Sequence, residues 1–205
     1  MALRKIIELG DPRLRERSRE IKDITPEVRQ LIDDMVETMR ENNGVGLAAV
    51  QVGEMYRVIV IEMPENPEDE DDPYSGELFL VVNPEIIKES RETEVGIEGC
   101  LSIPGYVGEV ERATEVLVRG RDIRGKRFRL RPRGYLARVF QHEIDHLEGT
   151  LYIDRLTEPD RIWEVKAGTE EATEQSAHRS AQHEAAQEQG EAEQSKEVSA
   201  ETAVA

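Results

Sequence analysis

The chain has 205 residues, enough for one domain or two small ones. Apolar residues make up 38% and charged residues 35%, below and above the globular norm respectively. The formal net charge of −17 is unevenly spread: residues 167–205 hold nine Glu against Arg179 and Lys196, a net of −7, and the stretch Pro64–Pro73 holds three Glu and three Asp with no base, a net of −6. The rest of the chain carries −4 and is nearly balanced. Such a chain is expected to carry no basic stripe of the kind that grips phosphate backbones, so a primary nucleic-acid binder, and a DNA binder in particular, is not expected. No run of about 18 apolar residues is present, so no membrane span is expected. The opening MALRKIIELGDPR lacks the apolar core and small-residue cleavage site of a secretory signal. Cys100 is the one cysteine, which excludes an intramolecular disulfide framework and points to a reducing cytoplasm.

In chain order, the first clear element is a helix over residues 26–41. Thr25 is placed to cap it, Pro26 suits its first position, and Asn42-Asn43-Gly44 stops it. Val28, Leu31, Ile32, Met35 and Met39 form its apolar stripe. The following GVGLAAVQVG, residues 44–53, reads as a flexible loop or as an extended wall of a cleft. Its glycines do not fit either phosphate-loop pattern. Strand-like runs follow at 57–63, 77–83, 115–121 and 126–131, with Asp122-Ile123-Arg124-Gly125 as the turn joining the last two. The acidic stretch 64–73 reads as a solvated insertion. A second helix spans 135–148 and ends at Gly149. Strands framed by two helices predict an α+β fold, with antiparallel or mixed sheets around the second helix. Residues 1–166 form the expected globular part. Residues 167–205 contain no Leu, Ile, Met or aromatic residue, and so read as disordered or as a solvated helix.

The chemistry concentrates in the second helix, in Gln141-His142-Glu143-Ile144-Asp145-His146. Histidines at i and i+4 share one face, so both imidazoles can meet one metal ion, with the intervening Glu beside it as a general base. On a helical wheel Leu136, Phe140, Ile144 and Leu147 form an apolar stripe bordered by His142, Glu143 and His146, while Asp145 points away. Two histidines need a third ligand. Tyr152 stands where a metzincin-type protease would carry its third His, and His178 and His183 lie in the tail. Glu158 and Glu164 are the downstream acidic candidates. Cys100, in Glu98-Gly99-Cys100-Leu101-Ser102-Ile103-Pro104-Gly105, is open to three readings: a small buried hydrophobe, a nucleophile paired with His, or a thiolate completing a His2Cys site. Gly99 would allow close backbone approach there, and Gln51 offers a neutral amide donor.

Taken together and in this order, GVGLAAVQVG, EGCLSIPG and QHEIDH closely resemble the three signature motifs of the peptide deformylases, over about residues 1–160. The resemblance implies an enzyme that removes the formyl group from the N-terminal formyl-methionine of new bacterial proteins and releases formate. It implies Cys100, His142 and His146 as ligands of one divalent metal, usually Fe2+, with Zn2+, Ni2+ or Co2+ also suited to such donors. It implies Glu143 as general base and proton donor, and Gln51 with the backbone N–H of Leu101 as stabilisers of the oxyanion. Val45, Gly46 and Gly99 would contact the extended N-formylmethionyl peptide, with Tyr135 and Val139 as further pocket walls. An Arg112–Asp145 pair would support the metal helix. Enterobacterial members dock at the ribosome exit through a basic C-terminal extension; the acidic tail here is unsuited to that, so any such contact would use another surface. The competing readings are a metallopeptidase with a downstream acidic ligand and a non-catalytic metal-binding protein.

Overall fold

The computed structural model describes residues 2–65 and 73–165. The tail from 166 onward and most of the acidic insertion (66–72) lie outside the described residues, as do His178 and His183. Helix α1 (Pro26–Glu41) begins where its cap predicts: the Thr25 hydroxyl accepts from the Val28 N–H, and Pro26 opens the first turn. Leu31, Ile32, Met35 and Met39 are buried, and the helix stops at Asn42, followed by Asn43 with φ 53°.

Five strands form one sheet: β1 (Gly46–Ala48), β2 (Val58–Glu62), β3 (Leu78–Glu89), β6 (Val116–Arg121) and β7 (Arg127–Leu130), in the order β1-β2-β3-β6-β7. A second sheet has the order β4-β5-β8, from β4 (Thr93–Cys100), β5 (Ile103–Ala113) and β8 (Ile162–Glu164). Every pairing is antiparallel. Alternation along the strands gives the five-stranded sheet two apolar faces. Val58, Val60 and Val82 pack with Leu31, Ile32, Met35 and Met39 of α1. Ile59, Ile61, Val81, Val116 and Val118 pack with Leu136, Phe140, Ile144 and Leu147 of α2 (Gly134–Leu147). Helix α2 also contacts β5, so it lies between the two sheets and brings its polar border to both.

The structure departs from the sequence expectation in several places. Residues 44–53 are no flexible loop: Gly46–Ala48 pair with Ile59–Ile61 as strand β1, and Ala49–Val52 form one 3-10 turn with Ala49, Val50 and Gln51 buried. The strand expected at 77–83 runs on to Glu89. The whole second sheet went unpredicted, because glycines at 96, 99, 105 and 108 interrupt the alternation that marks a strand. The turn at 122–125 is present, with Gly125 at φ 82° and its N–H bonded to the Asp122 carbonyl at 2.8 Å. Among the described residues no helix is long and apolar enough to cross a membrane.

Candidate metal centre and active site

Three chain segments meet beside α2. Cys100 ends β4, His142 and His146 lie one turn apart on α2, and their ligand atoms all fall within 4.8 Å of one another. Cys100 Sγ is 3.3 Å from His146 Nε2. Both histidines are buried or nearly so, with side-chain exposure of 10% at His142 and residue exposure of 1% at His146. The downstream acidic candidates Glu158 and Glu164 are exposed and take no part. Tyr152 is buried, stacks against the His142 ring with centroids 6.2 Å apart, and donates its hydroxyl to the Tyr106 carbonyl. It packs His142 from the side and is not among the residues gathered at the cluster.

What holds His142 is Glu98, a residue that the sequence did not single out. Its Oε2 lies 2.8 Å from His142 Nδ1. A carboxylate can only accept, so Nδ1 carries the proton and Nε2 is left as the metal-facing lone pair. Glu98 is itself gripped by Arg112 through two bonds of 2.9 Å and by Arg138 at 3.0 Å. Arg112 reaches on to Asp145 at 2.5 Å, and Asp145 is clamped from outside by Arg155 at 2.6 and 2.7 Å. The wheel had turned Asp145 away from the metal, and the Arg112 pairing expected from the resemblance is what receives it. Glu98, Arg112, Arg138 and Asp145 are almost wholly buried, while Arg155 is half exposed; removing one of the buried four would leave an uncompensated charge, at a cost of about 3–5 kcal/mol. Gly96 makes room for Arg138: a Cβ there would sit 2.7 Å from the guanidinium carbon. Only Gly99-Cys100 separates Glu98 from the second sheet's turn, so its proximity to Cys100 in sequence was the available signal; its partners on β5 and α2 were not.

Electrostatics follow from this burial. Desolvation would raise the Glu98 carboxyl, but the hydrogen bonds and charges of Arg112 and His142 hold it well below the usual carboxylate range. Burial would lower His142, yet Cys100 and Glu98 outweigh it and raise its pKa well above the ordinary imidazole value. Burial, then the charge of His142, drives His146 the other way. Glu143 is 4% exposed, and one carboxylate oxygen is buried without a hydrogen-bond partner among the described residues. Its burial lifts the carboxyl to about 7, His142 opposing and Glu98 adding to the shift.

The Gln51 segment closes the opposite wall. Its Oε1 accepts from the Ala48 N–H at 2.8 Å, which fixes the amide so that Nε2 faces inward, 3.3 Å from Ser102 Oγ and 3.5 Å from Cys100 Sγ. Gly46 lies directly over Glu143: a Cβ there would stand 2.8 Å from the carboxyl carbon. Leu101 follows Cys100 at the turn between β4 and β5 and packs toward the α1 side, against which Gly44 leaves space. Val45 borders the α2-side core. Gly99 faces Val107 across the β4–β5 pair, where a Cβ would come within 3.3 Å of Val107 Cγ1. Val139 is buried against α2's core, while Tyr135 is 53% exposed at the start of α2.

The donor set fits a single divalent transition metal. It offers two imidazole nitrogens and one thiolate, gathered by a strand end and a helix, with a carboxylate orienting one imidazole from behind and an unpartnered buried carboxylate alongside. The site thereby matches a catalytic type, three protein ligands with a position to spare.

Comparison with known proteins gives the same answer from a separate direction. The polypeptide deformylase family model matches residues 3–162. A peptide deformylase of Thermomicrobium roseum is 45% identical over 174 residues, covering 85% of this chain and 97% of that protein. The crystal structure of peptide deformylase from Ehrlichia chaffeensis superposes with a TM-score of 0.71 at 40% identity, covering 78% of this chain and 91% of that one. A class I type b peptide deformylase from Acinetobacter baumannii, solved with Met-Ala-Ser bound, gives 0.70 at 37% identity and covers 76% and 99%. The chain therefore belongs to the polypeptide deformylase family of metal-dependent enzymes.

Proposed function

We propose that this enzyme hydrolyses the N-formyl group from the N-terminal formyl-methionine of newly made polypeptides, releasing formate, in the cytoplasm and with Fe2+ as its metal. Zn2+, Ni2+ or Co2+ would suit the same donors, since ligand type alone does not select among them. The observation that carries the reading is Glu143: a buried carboxylate with a bare oxygen, held between the two histidine ligands and against the backbone of Gly46. Cys100, His142 and His146 would hold the metal, whose contribution when bound is to lower the pKa of water toward about 7 and make it a nucleophile at neutral pH.

The remaining roles belong to the chain itself. Glu143, lifted toward neutrality by burial, is suited to take a proton from the attacking water and return it to the departing amine. The inward Nε2 of Gln51, locked by the Ala48 N–H, and the backbone N–H of Leu101 would stabilise negative charge growing on the formyl oxygen, each worth about 3 kcal/mol by the magnitude typical of such donors. Gly46 on the edge strand β1 and Val45 just before it offer backbone to an extended peptide, and Gly99 lies on β4 beside Cys100. Arg112 and Asp145 support the second sheet's grip on α2. The Acinetobacter relative's Met-Ala-Ser ligand is a peptide of the deformylated kind, consistent with a methionine-first substrate.

The test is formate release from a formyl-Met tripeptide by protein loaded anaerobically with Fe2+ and, separately, with Zn2+ or Ni2+. Glu143→Ala is expected to lose about 10²–10⁴-fold in rate while keeping its metal, and Cys100→Ala to lose the metal. Metal-loaded, folded protein that releases no formate with any of these ions overturns the reading. Retention of metal by Cys100→Ala would instead favour a peptidase with an acidic third ligand.

A further inference from the structure

Residues 2–9 run past the cleft without joining either sheet. The start of this segment is fastened to α1: the Ala2 N–H reaches Asp34 Oδ1 and the Arg4 N–H reaches Thr38 Oγ1, both at 2.9 Å. The Arg4 guanidinium adds Asp34 at 3.1 Å and Glu54 at 2.9 Å. The far end is held by Leu14, 1% exposed, in the single turn Pro12–Arg15. Between these anchors, Ile6 packs into the core shared by α1 and the five-stranded sheet, whereas Ile7 packs into the separate cluster of Ile103, Val110, Leu151 and Tyr152. Successive side chains thus key the segment into both halves of the site. Its two inner N–H groups do the same. That of Ile7 donates to the Gln51 carbonyl and that of Leu9 to the Ser102 carbonyl, each at 2.8 Å.

We infer that Ile7 and Leu9 are positioning residues for the oxyanion donors, their backbone N–H groups setting the distance between the Gln51 amide and the Leu101 N–H. The inference rests on the deformylase reading, which gives those two donors their role. Gln51 carries one of them, and Ser102 directly follows the other. Two residues of chain extend to at most about 7 Å, so the segment fixes how far the two turns can part. Among the described residues, the other hydrogen bonds that cross directly between these turns come from the Gln51 amide itself, at 3.3 Å to Ser102 Oγ and 3.5 Å to Cys100 Sγ. Both are long, and both use Nε2, the atom that must donate to a formyl oxygen. An amide that turns its N–H to the substrate loosens its own crosslink at that moment. Donors stabilise a growing charge fully only when they need not reorganise during the reaction, so the spacing has to be held by groups that stay bonded throughout. The N–H groups of Ile7 and Leu9 meet that need, since neither faces the substrate and both bond to carbonyls that play no part in the chemistry.

The experiment compares the full, metal-loaded chain with Ile7→Pro and Leu9→Pro, each of which removes one N–H, in formate release from a formyl-Met tripeptide. Each is expected to lower kcat at least about tenfold, a fraction of the 10²–10³ that deleting an oxyanion donor costs. KM should stay within about twofold, as for an interaction felt only in the transition state, and metal content should match the parent. Ile7→Val and Leu9→Ala, which keep the N–H, should restore the rate. The decisive comparison is Ile7→Pro in a Gln51→Ala background. If Ile7 acts through the Gln51 amide, the double variant is slower than Gln51→Ala by no more than about twofold, because residues acting as one unit are not additive. A merely structural tie would multiply the two losses. Where a proline variant fails to fold, replacing the same peptide bond by an ester, which deletes the N–H alone, carries the same expectations. Parental kcat without the N–H, losses that multiply, or a loss confined to KM or to metal content overturns the inference and leaves the deformylase reading intact. A folded, metal-loaded parent that releases no formate overturns that reading, and the inference with it.

Discussion

At the scale of single residues, the site is built from close approaches as much as from donors. Gly46 is the sharpest case, because a side chain there would collide with the Glu143 carboxylate, which is buried and has nowhere to retreat. Gly46→Ala is expected to displace the carboxylate and lower formate release by about 10²-fold or more, the usual cost of an ångström's misplacement, with metal content unchanged. A variant of parental rate would show that Glu143 has slack. The sequence made His142, His146 and Glu143 legible as candidates because helical spacing alone brings the three to one border. It also flagged Gly46, but as a contact for substrate backbone; its contact with Glu143 depends on β1 crossing α2, which no local pattern encodes. Glu98 and Arg138 stayed hidden for the same reason. Each is an ordinary charged residue in its own segment, and only the packing of β4, β5 and α2 turns them into a buried support for His142.

Among the elements, the two helices were readable nearly to the residue, since caps and stops are local chemistry. Helix α2 ends in a Schellman arrangement: the Gly149 N–H reaches the His146 carbonyl at 3.2 Å and the Thr150 N–H reaches that of Asp145 at 3.0 Å. Gly149 has φ 78°, and a Cβ there would lie 2.6 Å from the Arg15 carbonyl oxygen. Gly149→Ala should therefore destabilise by more than about 1 kcal/mol, a fall in Tm of roughly 2–4 °C or more for a chain of this size. Unchanged melting would mean that the cap is not what fixes the end of the metal helix. The second sheet was illegible because its glycines serve tertiary neighbours: Gly96 admits Arg138, and Gly108 lies against Leu156 and Tyr152. The N-terminal segment shows how elements are tied together. The Ile7 N–H bonds the Gln51 carbonyl and the Leu9 N–H bonds that of Ser102, both at 2.8 Å, so one short stretch spans the two walls of the cleft.

For the molecule as a whole, net charge is a poor guide to surface, because −17 conceals a basic hairpin at one sheet edge. It is a better guide to acid behaviour. Asp34 is held low because the Ala2 N–H, Gln30 and Arg4 outweigh the burial that would raise it. Glu62 is lowered by its bond with Arg40, and Glu115 by bonds with Arg133 and Arg131. Groups whose folded pKa lies below the unfolded value contribute stability above that value and lose it as pH falls through the folded one. With ordinary values of 3.8 for Asp34 and 4.5 for the two Glu, the share of Tm that these three groups supply should hold from neutrality to about pH 5 and decline steadily below it. Melts recorded from pH 7 to 3 check this, and a Tm that stays level to pH 3 would mean that these pairs add nothing to folding.

The gathering of Cys100 with His142 and His146 also sets an order of events during the protein's own synthesis. The thiol is made first, and the strands β5, β6 and β7 must all follow before either imidazole exists. A copy broken off between Cys100 and His142 carries the sulfur and neither imidazole, and is inert instead of half-active. Hydrolytic power is thus withheld from those intermediate lengths and acquired late, when the helix that bears both histidines closes against strands already made and only β8 remains to follow.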